Sequence, residues 1–400
     1  MLTVTLALRD LFRDRLFLLC NIAVLAGVLV PLLILLGVKN GVYEALIGQL
    51  LSNPATLQID TQGNAELTEA EIAPLRDWPD IAFLTPRTRS QFDYVNLYAP
   101  SEGGAALREA LLLPTGPGDP NLPPGMVLAE DEIALSPLLA RQMHLTEGDV
   151  IELVTQAETR PKQLRLPVTV RHILPETVAT GRSVMADFAV LDRVEAFYDN
   201  YALPEYGVTE GRPLAERQPR FEGLRVYARS LEGLGPVQER LEAELGIGTS
   251  ARTREVAAVL GLGRNLDLAL GLTSALATTG LAAALLFGFW SDAMRKRGVL
   301  AALGMLGIPP RSLALFPVVQ AVITAVLGLA LSFALYAGAA AMAARMFAQG
   351  LPGEAPVTRL DWPQGMAICA AVLVIVLVAA LASAWSALRV DPARTLREGH

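Results

Sequence analysis

The chain has 400 residues, 52% of them hydrophobic and 18% charged, with a net charge of −7 and a mean hydropathy of +0.40. Apolar content on this scale excludes an ordinary soluble enzyme, and the acidic balance argues against nucleic-acid binding. The two cysteines, Cys20 and Cys369, both fall inside apolar runs, which excludes a disulfide framework.

In chain order, residues 1–16 place Leu8, Leu11, Phe12 and Leu16 on one helical side and Arg9, Asp10, Arg13 and Asp14 largely on another. This is the pattern of an amphipathic helix lying on a membrane surface; the alternative is a plain basic flank to the next segment. Residues 17–38 form the first of four apolar runs long enough to span a bilayer, the others being 268–290, 313–344 and 366–388. The first run continues past Cys20, and Leu18-Leu19 precede that cysteine, so it reads as a retained anchor and not as a cleaved signal. Pro31 inside it is tolerated where neighbouring helices satisfy the freed backbone group.

Residues 39–267 are of mixed polarity and form a block large enough to bury its own core. The first helix is expected to continue outward and to stop at Asn53-Pro54, because the residue before proline disfavours the helical region. A short strand at 55–60 follows, and Thr68–Glu71 has the form of a capping box opening a helix that ends by Trp78-Pro79. Residues 90–98, rich in aromatic and β-branched side chains, read as a second strand. The proline- and glycine-rich passage 114–125 is a loop or a subdomain boundary.

Ser136-Pro137 signals a helix N-cap followed by proline at the first helical position, Gly148-Asp149 a turn, and 150–155 a strand. The passages LRLPVTVRHIL and ADFAVL read as further strands, DRVEAFYD as a helix, 224–229 as a strand, and 231–245, with Val237, Leu241 and Leu245 on one face, as a helix. Strands alternating with helices predict an α/β (α+β) domain, with 125–200 as an inserted subdomain. A proline-free helical pattern from Arg252 predicts a stalk helix over 252–267 running into the second span. Pro317 near the start of the third span is expected to bend it, and 345–365 forms a short loop before the fourth span.

Charge then predicts orientation. In 1–16, 291–312 and 386–400 Lys and Arg outnumber Asp and Glu two to one, and short basic segments stay on the cytoplasmic side. Both termini and the 291–312 segment are therefore expected inside and 39–267 outside. No Asp, Glu, Lys, Arg or His falls in the central part of a span; the polar residues of the spans include Asn21, Thr273, Ser274, Gln320, Thr324, Ser332 and Ser383. Such groups join helices by packing and weak hydrogen bonds more often than they line a channel, and the nearby Gly271 and Gly280 are expected to permit close helix approach.

Catalytic signatures are missing. The sequence has no G-x-x-x-x-G-K-[ST], H-E-x-x-H or G-x-S-x-G, and His144, His172 and His400 stand apart. Glu130, Asp131 and Glu132 read as a solvated acidic face.

The most informative stretch is 291–313, SDAMRKRGVLAALGMLGIPPRSL, where Arg295, Lys296 and Arg297 abut the end of the second span and Val299, Leu303 and Leu306 recur at helical spacing. This face fits either an interfacial helix or a coupling helix docked on a cytoplasmic partner. Its core, Gly298, Val299, Leu300, Leu303 and Gly304, resembles the G-I-L-R-A-L-G segment of the FtsX-like (MacB-type, type VII) ABC-transporter permeases. The tail V390-D-P-A-R-T-L-R397, with Asp391, Pro392, Leu396 and Arg397, is similar to the terminal pattern of the same family, and 131–156 resembles a passage of its external domains. The chain departs from the family where Lys296-Arg297 replace a common Glu-Ile pair and where Ala301 stands in place of a frequent basic residue.

The resemblance implies four transmembrane helices with a periplasmic domain between the first two, in the inner (cytoplasmic) membrane of a bacterium. It implies no enzymatic activity and no cofactor in this chain: two copies of a separate ABC ATPase would bind ATP and Mg and dock on 295–306, with Asp391, Pro392, Leu396 and Arg397 on the cytoplasmic tail and Arg9, Phe12 and Arg13 on the amphipathic helix as further candidate residues. A second permease, identical or homologous, would complete the mechanotransmission assembly. Membrane lipid and a periplasmic adaptor or substrate protein are further implied partners, with a lipid, lipoprotein or peptide-like substrate. The competing reading is a membrane receptor or regulatory scaffold whose external domain senses a ligand.

Overall fold

The computed structural model describes residues 2–99, 106–296, 309–347 and 358–388. The chain divides into two units, one formed by residues 1–46 and 262–400, the other by 47–261.

The first unit is helical. Helix α1 spans Leu2–Arg13 and α2 spans Arg15–Leu51, both contributing their residues up to position 46. Helix α7 (Thr253–Arg295) from Leu262 onward, α8 (Pro310–Phe347) and α9 (Trp362–Leu388) complete it. Among the described residues α2, α7, α8 and α9 are long and apolar enough to cross a membrane. Pro31 and Pro317 lie inside helices that run on without interruption. The four helices meet over Leu25, Leu29, Leu281, Leu285, Leu329 and Val376.

Glycine sets the spacing at two places. A methyl group built on Gly328 would come within 2.7 Å of Leu25 Cδ1, and one on Gly37 within 2.5 Å of the Tyr336 hydroxyl, so α2 and α8 approach as closely as a missing Cβ permits. Gly271 and Gly280, expected to serve this purpose, have open space beside them. They lie on a helix whose Leu268, Leu272 and Leu276 are 68–78% exposed.

The second unit contains an antiparallel four-stranded sheet, β10-β1-β9-β2. Its strands are β1 (Gln58–Thr61), β2 (Ile81–Arg87), β9 (Gly223–Ala228) and β10 (Thr249–Ala251). Every residue of β9 is buried, as befits a central strand covered on both faces. Helices α3 (Glu69–Arg76) and α6 (Leu231–Leu245) pack their apolar stripes, Ile72 and Leu75 on one and Leu234, Val237 and Leu241 on the other, into its core. The expected capping chemistry opens α3, where the Glu71 carboxylate accepts from both the N–H and the hydroxyl of Thr68 at 2.8 Å. Those bonds hold the Glu71 carboxyl below its ordinary pKa.

The remaining strands close into a barrel in the order β3-β4-β8-β5-β7-β6. They are β3 (Tyr94–Ala99), β4 (Ala106–Thr115), β5 (Glu132–Leu135), β6 (Val150–Thr155), β7 (Leu164–Ile173) and β8 (Ser183–Asp187). β4 and β8 run parallel, as do β5 and β7; the other pairs are antiparallel. The interior holds Val95, Leu97, Leu112, Ile133, Leu153 and Val168. Helices α4 (Pro137–Met143) and α5 (Phe188–Tyr198) pack on it.

Several expectations are corrected here. The barrel starts well before the insert expected at 125–200, because β3 and β4 are needed to close it. The segment 90–98 is a single-turn helix, Ser90–Phe92, followed by β3. ADFAVL is strand only at Ala186 and Asp187, the end of β8; the Asp187 carboxylate accepts the Ala189 N–H at 2.9 Å, which opens α5 inside that segment. Strands β2 and β4 each contain a proline, Pro86 or Pro114, which masks the strand pattern in the sequence.

Candidate functional site

Helix α1 turns its apolar face inward at Ala7 and Leu11, both fully buried, one turn apart. Ala7 packs with Phe316 of α8. Phe12 is 55% exposed, and Arg9 and Arg13 are exposed too, so the outward face of α1 carries these three predicted residues.

Beneath α1 the ends of α7 and α8 meet in a polar cluster. Lys296 Nζ lies 2.6 Å from Asp10 Oδ2 and 3.1 Å from Asp292 Oδ2. Arg295 Nη2 lies 2.9 Å from Asp292 Oδ1 and 3.2 Å from Asp14 Oδ2. Asp292 is 6% exposed, and it precedes Lys296 by four positions, the favourable order for a helical acid–base pair. Gln320 of α8, 3% exposed, donates its amide to Ala7 O at 3.1 Å and to Asp10 Oδ2 at 3.0 Å. The Phe17 and Phe316 rings lie within 5.9 Å of the Lys296 ammonium, shielding the cluster and adding cation–π attraction.

Of the basic residues predicted for partner coupling, Arg295 and Lys296 are thus engaged within the chain. Arg297, Gly298, Val299, Leu300, Leu303, Gly304 and Leu306 lie outside the described residues, as do Asp391, Pro392, Leu396 and Arg397. The residues that sequence reasoning missed are Asp10, Asp14 and Asp292 as counter-charges, together with Gln320 as a connector. A helical wheel carries the Asp292–Lys296 spacing, but nothing local links Gln320 to α1.

The other polar groups of the long helices mostly satisfy themselves. Thr324 bonds Gln320 O at 2.8 Å and Ser332 bonds Gly328 O at 2.7 Å, each four positions back on its own helix. Ser383 reaches across from α9 to Phe289 O on α7 at 2.9 Å. Three carboxylates, Asp10, Asp14 and Asp292, share two cations, Arg295 and Lys296, in a network that ties α1 to the end of α7, and Gln320 adds α8 to it, so the cluster is arranged as a latch. No protein-family model matches the chain, and no curated protein matches it.

Proposed function

We propose that this chain is the permease subunit of an ABC transporter of the mechanotransmission class, anchored in a bacterial cytoplasmic membrane. Both termini and the 291–312 segment face the cytoplasm and the sheet-rich unit faces outward. Two copies of a separate ATPase bind ATP and Mg, a second permease of identical or homologous sequence completes the assembly, and the substrate is a lipid, lipoprotein or peptide-like molecule. The observation that carries this reading is the latch: the two helices flanking residues 297–308, α7 and α8, are tied to each other and to α1 through Lys296, Asp10 and Gln320. A load applied to that short segment is shared by α1, α7 and α8 and not dissipated at a flexible end. Support also comes from α7 itself, a single helix of 43 residues that supplies residues to both units.

The test uses the chain co-expressed with an ATPase subunit carrying G-x-x-x-x-G-K-[ST] encoded beside it. The pair is expected to co-purify, with ATPase activity stimulated by the permease in nanodiscs. Leu303→Asp should abolish stimulation, because an unpaired charge in a packed contact costs about 3 kcal/mol or more. Unchanged co-purification and stimulation in a folded Leu303→Asp variant would overturn the docking role.

A further inference from the structure

Within the sheet-rich unit, a cavity of about 430 Å³ opens where the four-stranded sheet meets the barrel. Its apolar wall comes from β4, β8 and the 174–182 segment and includes Leu111, Leu113, Val178 and Met185. Its polar wall comes from the sheet and from the crossover into the barrel, and includes Arg87, Asp93, Asp60 and Arg225. Arg182 stands at its edge.

The hydrogen-bonding capacity of these groups is unevenly used. Arg225 is 5% exposed; its Nη2 donates to Pro114 O at 2.7 Å and pairs with Asp119, but its buried Nε has no partner. A buried donor left unpaired costs free energy that a ligand acceptor would recover. Arg87 is half-buried and makes no side-chain hydrogen bond or ion pair among the described residues. Arg182 uses its Nε on Gln142 Oε1 at 2.9 Å, leaving the rest of its fork free. On the acidic side, Asp60 accepts from Gln58 at 2.7 Å and Asp93 from Thr88 at 2.9 Å. Burial pushes the Asp93 carboxyl up to about 6, so its charge offsets Arg87 least in mildly acidic conditions. With Arg225 matched by Asp119 and with Asp60 and Asp93 on the same wall as Arg87, the charges are close to balance, but the unused N–H donors of Arg87, Arg182 and the Arg225 Nε stand on one side of the cavity and bare hydrocarbon on the other.

We propose that this cavity binds a small anionic amphiphile, a carboxylate or phosphate on one short apolar chain. Arg87 and the Arg225 Nε–H hold the anion, and Leu113, Val178 and Met185 receive the chain. The volume lies at the lower end of the range for small-molecule sites, which favours a single short chain over a diacyl lipid. The site is complete within this unit and does not depend on an ATPase partner.

The experiment is isothermal titration of the full chain in zwitterionic nanodiscs with octyl phosphate, octanoate and octan-1-ol, with empty nanodiscs as the blank. One of the two anions should bind saturably at one per chain, the tighter one identifying the head group, and the neutral alcohol should bind about tenfold more weakly or worse. Arg87→Gln should weaken the anion by about tenfold or more, with Arg87→Lys retaining part of the binding. Thr180→Trp, at an exposed position on the rim, should block entry without touching the core. Should Arg87→Gln fail to fold, Thr180→Trp decides alone. Heat from neither anion in excess of the blank, or full binding retained in either folded blocking variant, overturns the proposal.

Discussion

Arg217 and Glu195 form an ion pair of 2.8 Å between two side chains that are 6% and 2% exposed. Arg89 reaches the other oxygen of the same carboxylate at 2.5 Å. Arg89 lies on the crossover from β2 into the barrel and Arg217 on the return towards β9, so one carboxylate on α5 staples both covalent links between sheet and barrel. Asp199 reinforces the staple, at 2.6 Å from Arg89 and 3.0 Å from Arg217. Removing the central acid leaves the buried Arg217 with Asp192 and Asp199 but without its most buried partner, a lost charge-assisted hydrogen bond that costs about 1.5–3 kcal/mol. Glu195→Ala is therefore expected to lower the unfolding midpoint of the sheet-rich unit in a denaturant titration, whereas Glu176→Ala, which removes an exposed pair with Arg141, should change it by less than about 1 kcal/mol. Equal effects of the two substitutions would contradict the staple.

The close approach of α2 and α8 at Gly328 separates two glycines that look alike in sequence. Gly328→Leu forces a side chain into Leu25 and should destabilise the helical unit by about 1–3 kcal/mol. Gly280→Leu meets open space and should be near neutral. Unfolding of the two variants in mixed micelles with increasing dodecyl sulfate measures the difference.

Lys296→Met removes the cation shared by Asp10 and Asp292 and leaves Asp10 with Gln320 alone. The latch should weaken by about 1–2 kcal/mol, since the pair is partly shielded from water. Amide hydrogen exchange should speed up in residues 2–13 and stay unchanged in α9. Unaltered exchange in α1 would show that the apolar contact of Ala7 and Leu11 is enough to hold it.

Proton uptake by Asp93 makes stability depend on pH. Burial is the main cause of its rise from 3.8 to about 6, opposed by the Thr88 hydrogen bond and by Arg87, with Glu222 and Glu195 adding to it. Between about pH 4 and 6 the folded chain holds more protons at this position than the unfolded chain, so stability falls as pH rises through that window. Asp93→Asn, which keeps an acceptor for Thr88, should flatten this part of the profile and melt at an equal or higher temperature at pH 7.5. A variant with the parent slope would assign the dependence to other groups.

Orientation is tested with single cysteines in a Cys20→Ser, Cys369→Ser background. A membrane-impermeant maleimide applied to intact cells should label Glu158→Cys, an exposed barrel position, and spare Arg13→Cys, on the exposed face of α1. The reverse pattern would invert the proposed topology.

Local chemistry determined a good deal of this protein in advance. The four long apolar helices follow from run length alone. Helix α6 occupies Leu231–Leu245 as its periodicity predicts, and Ser136-Pro137 opens α4. These features depend on neighbours within one or two turns, so a sequence window contains every interaction that sets them. The tertiary structure alone decided which strands close the barrel, because β4 pairs parallel with β8 and β5 with β7 across long loops. It also decided which polar groups become partners: Arg89 finds Glu195 106 positions away, and Gln320 finds Asp10 310 positions away. Gly328 and Gly280 differ only in what lies opposite them. Such choices are made by packing, where a Cβ meets a neighbour or a buried charge meets its counter-charge, and no local pattern encodes them.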